Sequence, residues 1–415
     1  SFDAATAELT ASSDIQGITA RVNTNAKLNS ASIVDSDVIV SQAGSIEVKA
    51  TAIDGGSLRA DTVSFDEFAA GALTQVGAVS AVEVLGAETI TVANGGLVNI
   101  VSENDQATTF SVDASDNVFL TQGNGDMLVD INAAAWTVTL TADADINGAV
   151  AGVDVTSNSL IITTALDVTL DTDIDLIKAN VAYDLEIAEV SDLSVDLIKA
   201  GTMADISAGG SILDSADDTI IDIVTPELYL AAAGSIGTSD NALDLSTQML
   251  YADADAGLLN LLNVSAQEVD VTGLTAGTSV DFLAQGSGDT TFTGLVEAEN
   301  GSVSVYSTDG NLMFTSAPVT ATEDVEIAAA GGSILFMETL VTAGEDLNIG
   351  AFDDIQAYDA TLLAETGAIE ILSQHGTVNF NDTDVTADTD LSIWAWENDI
   401  FLHGGTLTAG EDIDM

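Results

Sequence analysis

Cysteine is absent from this 415-residue chain. That excludes disulfides and thiolate metal sites and leaves stacking, packing and bound ions as sources of stability. Cations are almost absent as well: Arg21, Lys27, Lys49, Arg59, Lys178 and Lys199 face 67 acidic residues, and neither Lys nor Arg follows Lys199. Nucleic acid is thereby excluded as a partner, because phosphate contacts need a surface lined with positive charge. An anionic membrane would repel the chain for the same reason, and no apolar run approaches the roughly 20 residues that span a bilayer, so direct membrane insertion is not expected. Proline occurs only at Pro226 and Pro318, and aromatic residues make up 5%. No Gly-rich loop leads into Lys and Ser or Thr, which removes a P-loop, and no Gly-x-Ser-x-Gly elbow is present.

What remains is a chain of small aliphatic residues, Thr, Ser, Gly and Asp. Hydrophobic residues make up 47% and the mean hydropathy is +0.33, so the chain can bury a core despite a formal charge of -61. Richness in Val, Ile and Thr favours short strands and turns over long helices.

The strongest signal is periodicity. Phe292, Phe314, Phe336, Tyr358, Phe380 and Leu402 follow one another at steps of 22. Two residues earlier runs a second column, Leu312, Ile334, Gln356, Val378 and Ile400, in which only Gln356 is polar. Apolar-x-apolar is the alternation of a half-buried strand. The same pairing recurs in Val303/Val305, Val325/Ile327, Leu347/Ile349, Ile369/Ile371, Leu391/Ile393 and Ile413/Met415, and a looser column is Val341, Leu363, Val385 and Leu407. Upstream the units persist with drifting spacing: Asp175-Leu-Ile-Lys-Ala179 returns as Asp196-Leu-Ile-Lys-Ala200. Three short strands per turn of about 22 residues, with Gly and Asp between them, predict an all-β chain wound as a right-handed parallel β-helix, a β-solenoid. With no linker or low-complexity break, residues 1–415 are expected to form a single continuous solenoid. Both Ser1 and Met415 fall inside the repeat, so the chain is expected to be a segment of a longer or processed protein.

Leu228-Tyr-Leu-Ala-Ala-Ala-Gly-Ser-Ile236, continuing to Leu245, and Val341-Thr-Ala-Gly-Glu-Asp-Leu-Asn-Ile349 resemble the repeats of filamentous-haemagglutinin-like large exoproteins. That resemblance implies a bacterial, secreted, β-helical adhesin or surface fibre. It covers most of the chain in style, although the family's amino-terminal secretion domain is not recognisable.

Parallel β-helices also host polysaccharide lyases and hydrolases. A lyase needs a base beside a bound cation, and the region after Lys199 supplies no Lys or Arg. Asn381-Asp382-Thr383-Asp384 with His375-Gly376 resembles a polygalacturonase pattern, but the order is wrong and the basic residues that would hold an anionic sugar are missing. The chain is therefore read as no enzyme. His375 and His403 read as surface or turn residues, since no Cys or second His lies near either.

The acidic columns carry more information. Glu323-Asp324, Glu345-Asp346 and Glu411-Asp412 occupy equivalent places before a strand, joined by Asp390 and interrupted by Ala368. Carboxylates stacked ~4.8 Å apart repel by roughly 0.9 kcal/mol per pair even at the dielectric of water. These seven acids are accordingly the candidate Ca²⁺ ligands, tying adjacent turns, although no cofactor is required; the alternative is a solvated acidic surface screened by salt. Gly123-Asn-Gly-Asp126 and Gly286-Ser-Gly-Asp289 add fragments of calcium-binding nonapeptides, without their nine-residue recurrence. Trp394 and Trp396, at i and i+2 beside inward Ile393, are expected to project outward as a partner contact.

The functional expectation is a structural protein outside the cell or on its surface, self-associating to form or extend a fibre, filament or surface layer. The alternative is an adhesin stalk or passenger that binds a surface or polysaccharide ligand.

Overall fold

The computed structural model describes residues 2–11, 14–40, 44–60, 62–66, 77–84, 88–102, 105–216 and 220–415. Among them every regular element is a β-strand, and every described pairing is parallel, each strand lying between its equivalents one turn earlier and one turn later. The expected parallel β-solenoid is the fold. No helix among the described residues is long and apolar enough to cross a membrane. The chain groups into two compact units: Ser1–Ser191 with Ile198–Gly201, and Asp192–Leu197 with Thr202–Met415.

The second unit shows the repeat most plainly. One column of strands runs Val280–Ala284, Val303–Ser307, Val325–Ala329, Leu347–Ala351, Ile369–Ser373 and Leu391–Ala395. A second runs Thr290–Phe292, Leu312–Thr315, Ile334–Met337, Ile355–Tyr358, Val378–Asn381 and Ile400–His403. A third runs Val296–Ala298, Val319–Ala321, Leu340–Ala343, Thr361–Ala364, Asp384–Ala387 and Leu407–Ala409. Within these strands, apart from Ile400–His403 and Leu407–Ala409, alternate residues are buried, so three aliphatic walls enclose one core. Because equivalent residues stack, the core is built of columns of like side chains. Phe292 and Phe314 are parallel with centroids 4.6 Å apart, and Phe314 and Phe336 follow at 5.2 Å. Phe282, from the first strand of its turn, meets Phe292 edge-on at 5.9 Å. In the turns that carry them such rings bury a large apolar area, and offset or edge contacts add to it.

Three of the expected columns, those through Gln356, Tyr358 and Leu363, differ from the sequence expectation by one residue. Phe336 pairs with Ala357, not Tyr358, and Ala357 pairs with Phe380. Likewise Val341 pairs with Leu362, and Leu362 with Val385, leaving Leu363 on the outer face. Three residues separate Ala351 from Ile355, whereas four separate Ala329 from Ile334; the lost residue returns at 365–368 before Ile369. A one-residue slip reverses which face each side chain takes. This places Gln356 outside, where polarity costs nothing, with the Tyr358 hydroxyl donating to its Oε1 at 3.2 Å. The corner after the second strand follows the same slip. Ser316, Glu338, Asp359 and Asp382 all take left-handed conformations (φ 51–54°), and Gly404 continues them at 75°. A tight reversal there demands that backbone whatever residue occupies it, at some cost for a non-glycine.

In the first unit the steps vary more, reaching 27 between Thr62 and Thr89, and many strands run unbroken around corners, as in the 16 residues of Met127–Ala142. Phe2 pairs with Ala20, Thr108 with Met127 and Val118 with Val138, steps of 18, 19 and 20. Val168 pairs with Leu185 across only 17, below the range of about 19 to 24 read from the sequence.

Candidate functional site

The acidic columns sit at corners, and the structure shows what their carboxylates do there. Asp324 Oδ1 accepts the backbone N–H of Asp346 at 3.0 Å, and Asp346 Oδ1 accepts that of Ala368 at 2.8 Å. Asp390 Oδ1 accepts the N–H of Asp412 at 3.2 Å. Each residue thus binds its own equivalent one turn later, where the chain leaves one ladder and the N–H would otherwise face only water. Ala368, lacking an acceptor, breaks the series at the position where the sequence shows a gap. A parallel column joins Asp289, Asn311, Ser333, Asp354 and Thr377 by bonds of 3.0, 2.7, 3.2 and 2.7 Å. In the first unit Asp126, Asp145, Asp167 and Asp184 form a third, at 3.5, 3.2 and 3.0 Å. Side-chain acceptors bonded to nearby backbone are the usual currency of turns; here they link turns into a corner ladder.

Glu323, Asp324, Glu345, Asp346, Asp390, Glu411 and Asp412 are all exposed. The structure stacks them but does not close them around a point, and among the described residues no three His, Asp or Glu converge to hold a metal ion. Of the seven, Asp324, Asp346 and Asp390 each give one oxygen to the ladder, and Glu323 accepts from the Ser302 hydroxyl at 3.4 Å. A cation here would bridge neighbouring turns from outside. The two nonapeptide-like fragments belong to the same ladders: Asp126 and Asp289 are acceptors in them, and a side chain at Gly288 would meet the Gln267 carbonyl oxygen at 1.9 Å.

The residues of the polygalacturonase-like pattern are also structural. Asp382 occupies a left-handed corner, and Asp384 Oδ1 accepts the Thr406 hydroxyl at 2.7 Å. His375 Nδ1 lies 2.8 Å from Glu397 Oε2, and its ring tilts against Phe352 with centroids 4.5 Å apart. His403 is exposed.

Trp394 and Trp396 project outward as expected, 42% and 69% exposed. Trp394 ends an outer column on the first strands, and by register that column reads Leu283, Tyr306, Ala328, Gly350, Leu372, Trp394. Beside it runs Asp281, Ser304, Glu326, Asn348, Glu370, Ser392. Where the first column shrinks to Ala328 and Gly350 the surface dips, forming a depression of about 240 Å³ lined by Glu326, Ala328, Asn348, Gly350, Glu370 and Leu372.

Among the described residues four buried carboxylates, Asp154, Glu189, Asp222 and Asp244, escaped the sequence reading. Glu189 is fully served: its oxygens accept from the Thr172 hydroxyl, the Ile174 N–H and both the N–H and hydroxyl of Ser191, at 2.8 to 3.0 Å. Asp154 accepts the Asp171 N–H at 2.9 Å through Oδ2, its Oδ1 has no partner, and burial raises its pKa. Asp222 accepts the Asp244 N–H at 2.9 Å, and burial beside Asp214 pushes it up to about 8, so it carries a proton at neutral pH. Nothing in the local sequence separates these from the other Asp and Glu residues, because their burial comes from how neighbouring corners fold over them.

Comparison with known proteins finds no matching family model, curated protein or solved structure. The likeness to filamentous-haemagglutinin-like exoproteins therefore rests on the repeat phrases alone.

Proposed function

We propose that this chain is a structural β-solenoid of the bacterial cell exterior, secreted or surface-displayed, which forms or extends a filament or surface layer and catalyses no reaction. The observation that carries the reading is the corner ladder. Corner residues of many turns are committed to holding the next turn, in addition to the parallel backbone pairing, which suits a molecule whose task is to persist as an extended object. The acidic exterior supports the same reading: it keeps neighbouring molecules apart at low salt and lets divalent cations bring them together. Calcium bridging along the Asp324–Asp346 and Asp390–Asp412 columns is the proposed ionic component.

Electron microscopy of the purified protein, with calcium and with chelator, read beside its melting temperature, tests this. Filaments that shorten, fray or melt earlier in chelator are the expected result. Isolated particles, unchanged under both conditions, would overturn self-assembly and calcium bridging together. The exposed Trp394 and Trp396 favour a second reading, an adhesin stalk or passenger with a polysaccharide or surface ligand, and a glycan array distinguishes it from a purely structural role.

A further inference from the structure

The depression over Gly350 points to a ligand. In the middle of the strand Leu347–Ala351 a glycine weakens the strand and leaves a hole in its outer face; such a residue marks a place where another backbone or a ligand comes close. At Gly350 the backbone does not ask for glycine, since its φ is not positive, and an added Cβ would meet nothing within 4 Å. Among the described residues none fills the space. The floor is Ala328 and Gly350, with Leu372 at one end, and the side wall is Glu326, Asn348 and Glu370, all three exposed. No Lys or Arg occurs anywhere after Lys199 to neutralise the two glutamates.

We propose that this trough takes a lysine side chain presented by an extended segment of a partner protein. A four-carbon stem that prefers apolar contact while its ammonium stays at a polar edge matches an apolar floor beside a carboxylate rim. The ammonium has three hydrogens to donate, and Glu326, Asn348 and Glu370 provide acceptors on three consecutive turns. An anionic ligand has no cation here to meet it. The proposal does not depend on filament formation.

The test is calorimetric titration of the full chain with acetyl-Gly-Lys-Gly-Lys-Gly-amide at about 0.15 M salt, which screens attraction to distant acids. One peptide per chain is expected. Gly350→Leu should weaken binding about tenfold, the loss expected for roughly two buried methylene groups. Glu326→Gln with Glu370→Gln should weaken it at least as much, whereas Glu365→Gln with Asp388→Asn, the same charge change at a corner away from the trough, should leave it unaltered. Two unchanged melting temperatures would show that the first two variants are folded; should the leucine variant melt early, the glutamine pair carries the test alone. Equal loss from both charge pairs, or binding untouched by Gly350→Leu, would mean unspecific attraction to an acidic surface and would overturn the proposal. So would binding of a neutral oligosaccharide such as maltohexaose, abolished by Gly350→Leu, in place of the peptide.

Discussion

Replacing Phe314 by alanine tests the stacked core at its most ordered point. Phe314 is fully buried, with the Phe292 ring 4.6 Å away on one side and the Phe336 ring 5.2 Å away on the other. Removing the ring leaves a cavity between strands whose spacing is fixed near ~4.8 Å by backbone pairing, so the walls cannot close over it. The expected cost is ~3–5 kcal/mol, of which the two ring contacts account for ~1–3 kcal/mol. The chain contains its own comparison: Ala357 stands in the same column between Phe336 and Phe380, in a turn whose preceding corner is one residue shorter. Alanine at 314 sits in a turn without that contraction. Urea unfolding followed by circular dichroism measures the loss. Hydrogen exchange locates it, because each turn of a solenoid depends mainly on its neighbours; amides of Leu312–Thr315 and of the adjoining strands should lose protection while those of Val118–Gln122 keep theirs. A loss below about 1 kcal/mol, or an even loss of protection along the whole chain, would refute the column as a packed, locally stabilising core.

The corner ladder makes a prediction that separates charge from hydrogen bonding: in chelator, Asp346→Ala should cost ~0.5–1.5 kcal/mol in urea unfolding, whereas Asp346→Asn, which keeps an acceptor for the Ala368 N–H, should cost nothing. Equal losses in chelator would show that the charge matters more than the bond. Asp222 gives a pH dependence. Its folded pKa of about 8 lies above the ordinary 3.8, so between those values the folded state holds a proton the unfolded state has released, and stability falls as pH rises through that window. Asp222→Asn should remove this slope, gaining ~2 kcal/mol or more over the parent near pH 9 and nothing near pH 4, as read from urea midpoints. Parallel pH profiles for the two proteins would rule out a buried neutral carboxyl.

Much of the fold was legible because the second unit repeats its apolar pairs at 22-residue steps and because alternation announces strands directly. The column from Phe292 to Phe336 and the outward Trp394 follow from those two signals. The slip at Tyr358 did not, since an aromatic residue at the expected step looks more like core than the Ala357 beside it; polar Gln356 was the one sign that the face had reversed. The first unit was harder to read, as its long strands run unbroken through residues that elsewhere mark the gaps between strands, such as Gly55 and Gly56 in Ser45–Arg59, and its steps range from 17 to 27. The acidic residues were picked out as columns, and the columns exist. Their use as acceptors for the next turn's N–H depends on where the chain leaves one strand ladder and enters another, which spacing alone does not give.

The ladder also bears on why the chain is so acidic. On successive turns the column Asp289, Asn311, Ser333, Asp354 fills one position with three residue types and makes the same bond each time. A short acceptor is what the corner requires; a negative charge is not. Stacked carboxylates repel by roughly 0.9 kcal/mol per neighbouring pair in the dielectric of water, so neutral residues would serve the fold better wherever Asp follows Asp, as at Asp126, Asp145, Asp167 and Asp184. Residues such as Glu326 and Glu370 on the outer strand faces lie outside these corner columns altogether. The excess charge is therefore not something that the corner bonds require. Replacing corner aspartates by asparagine throughout would accordingly leave the coil standing and change what gathers around it.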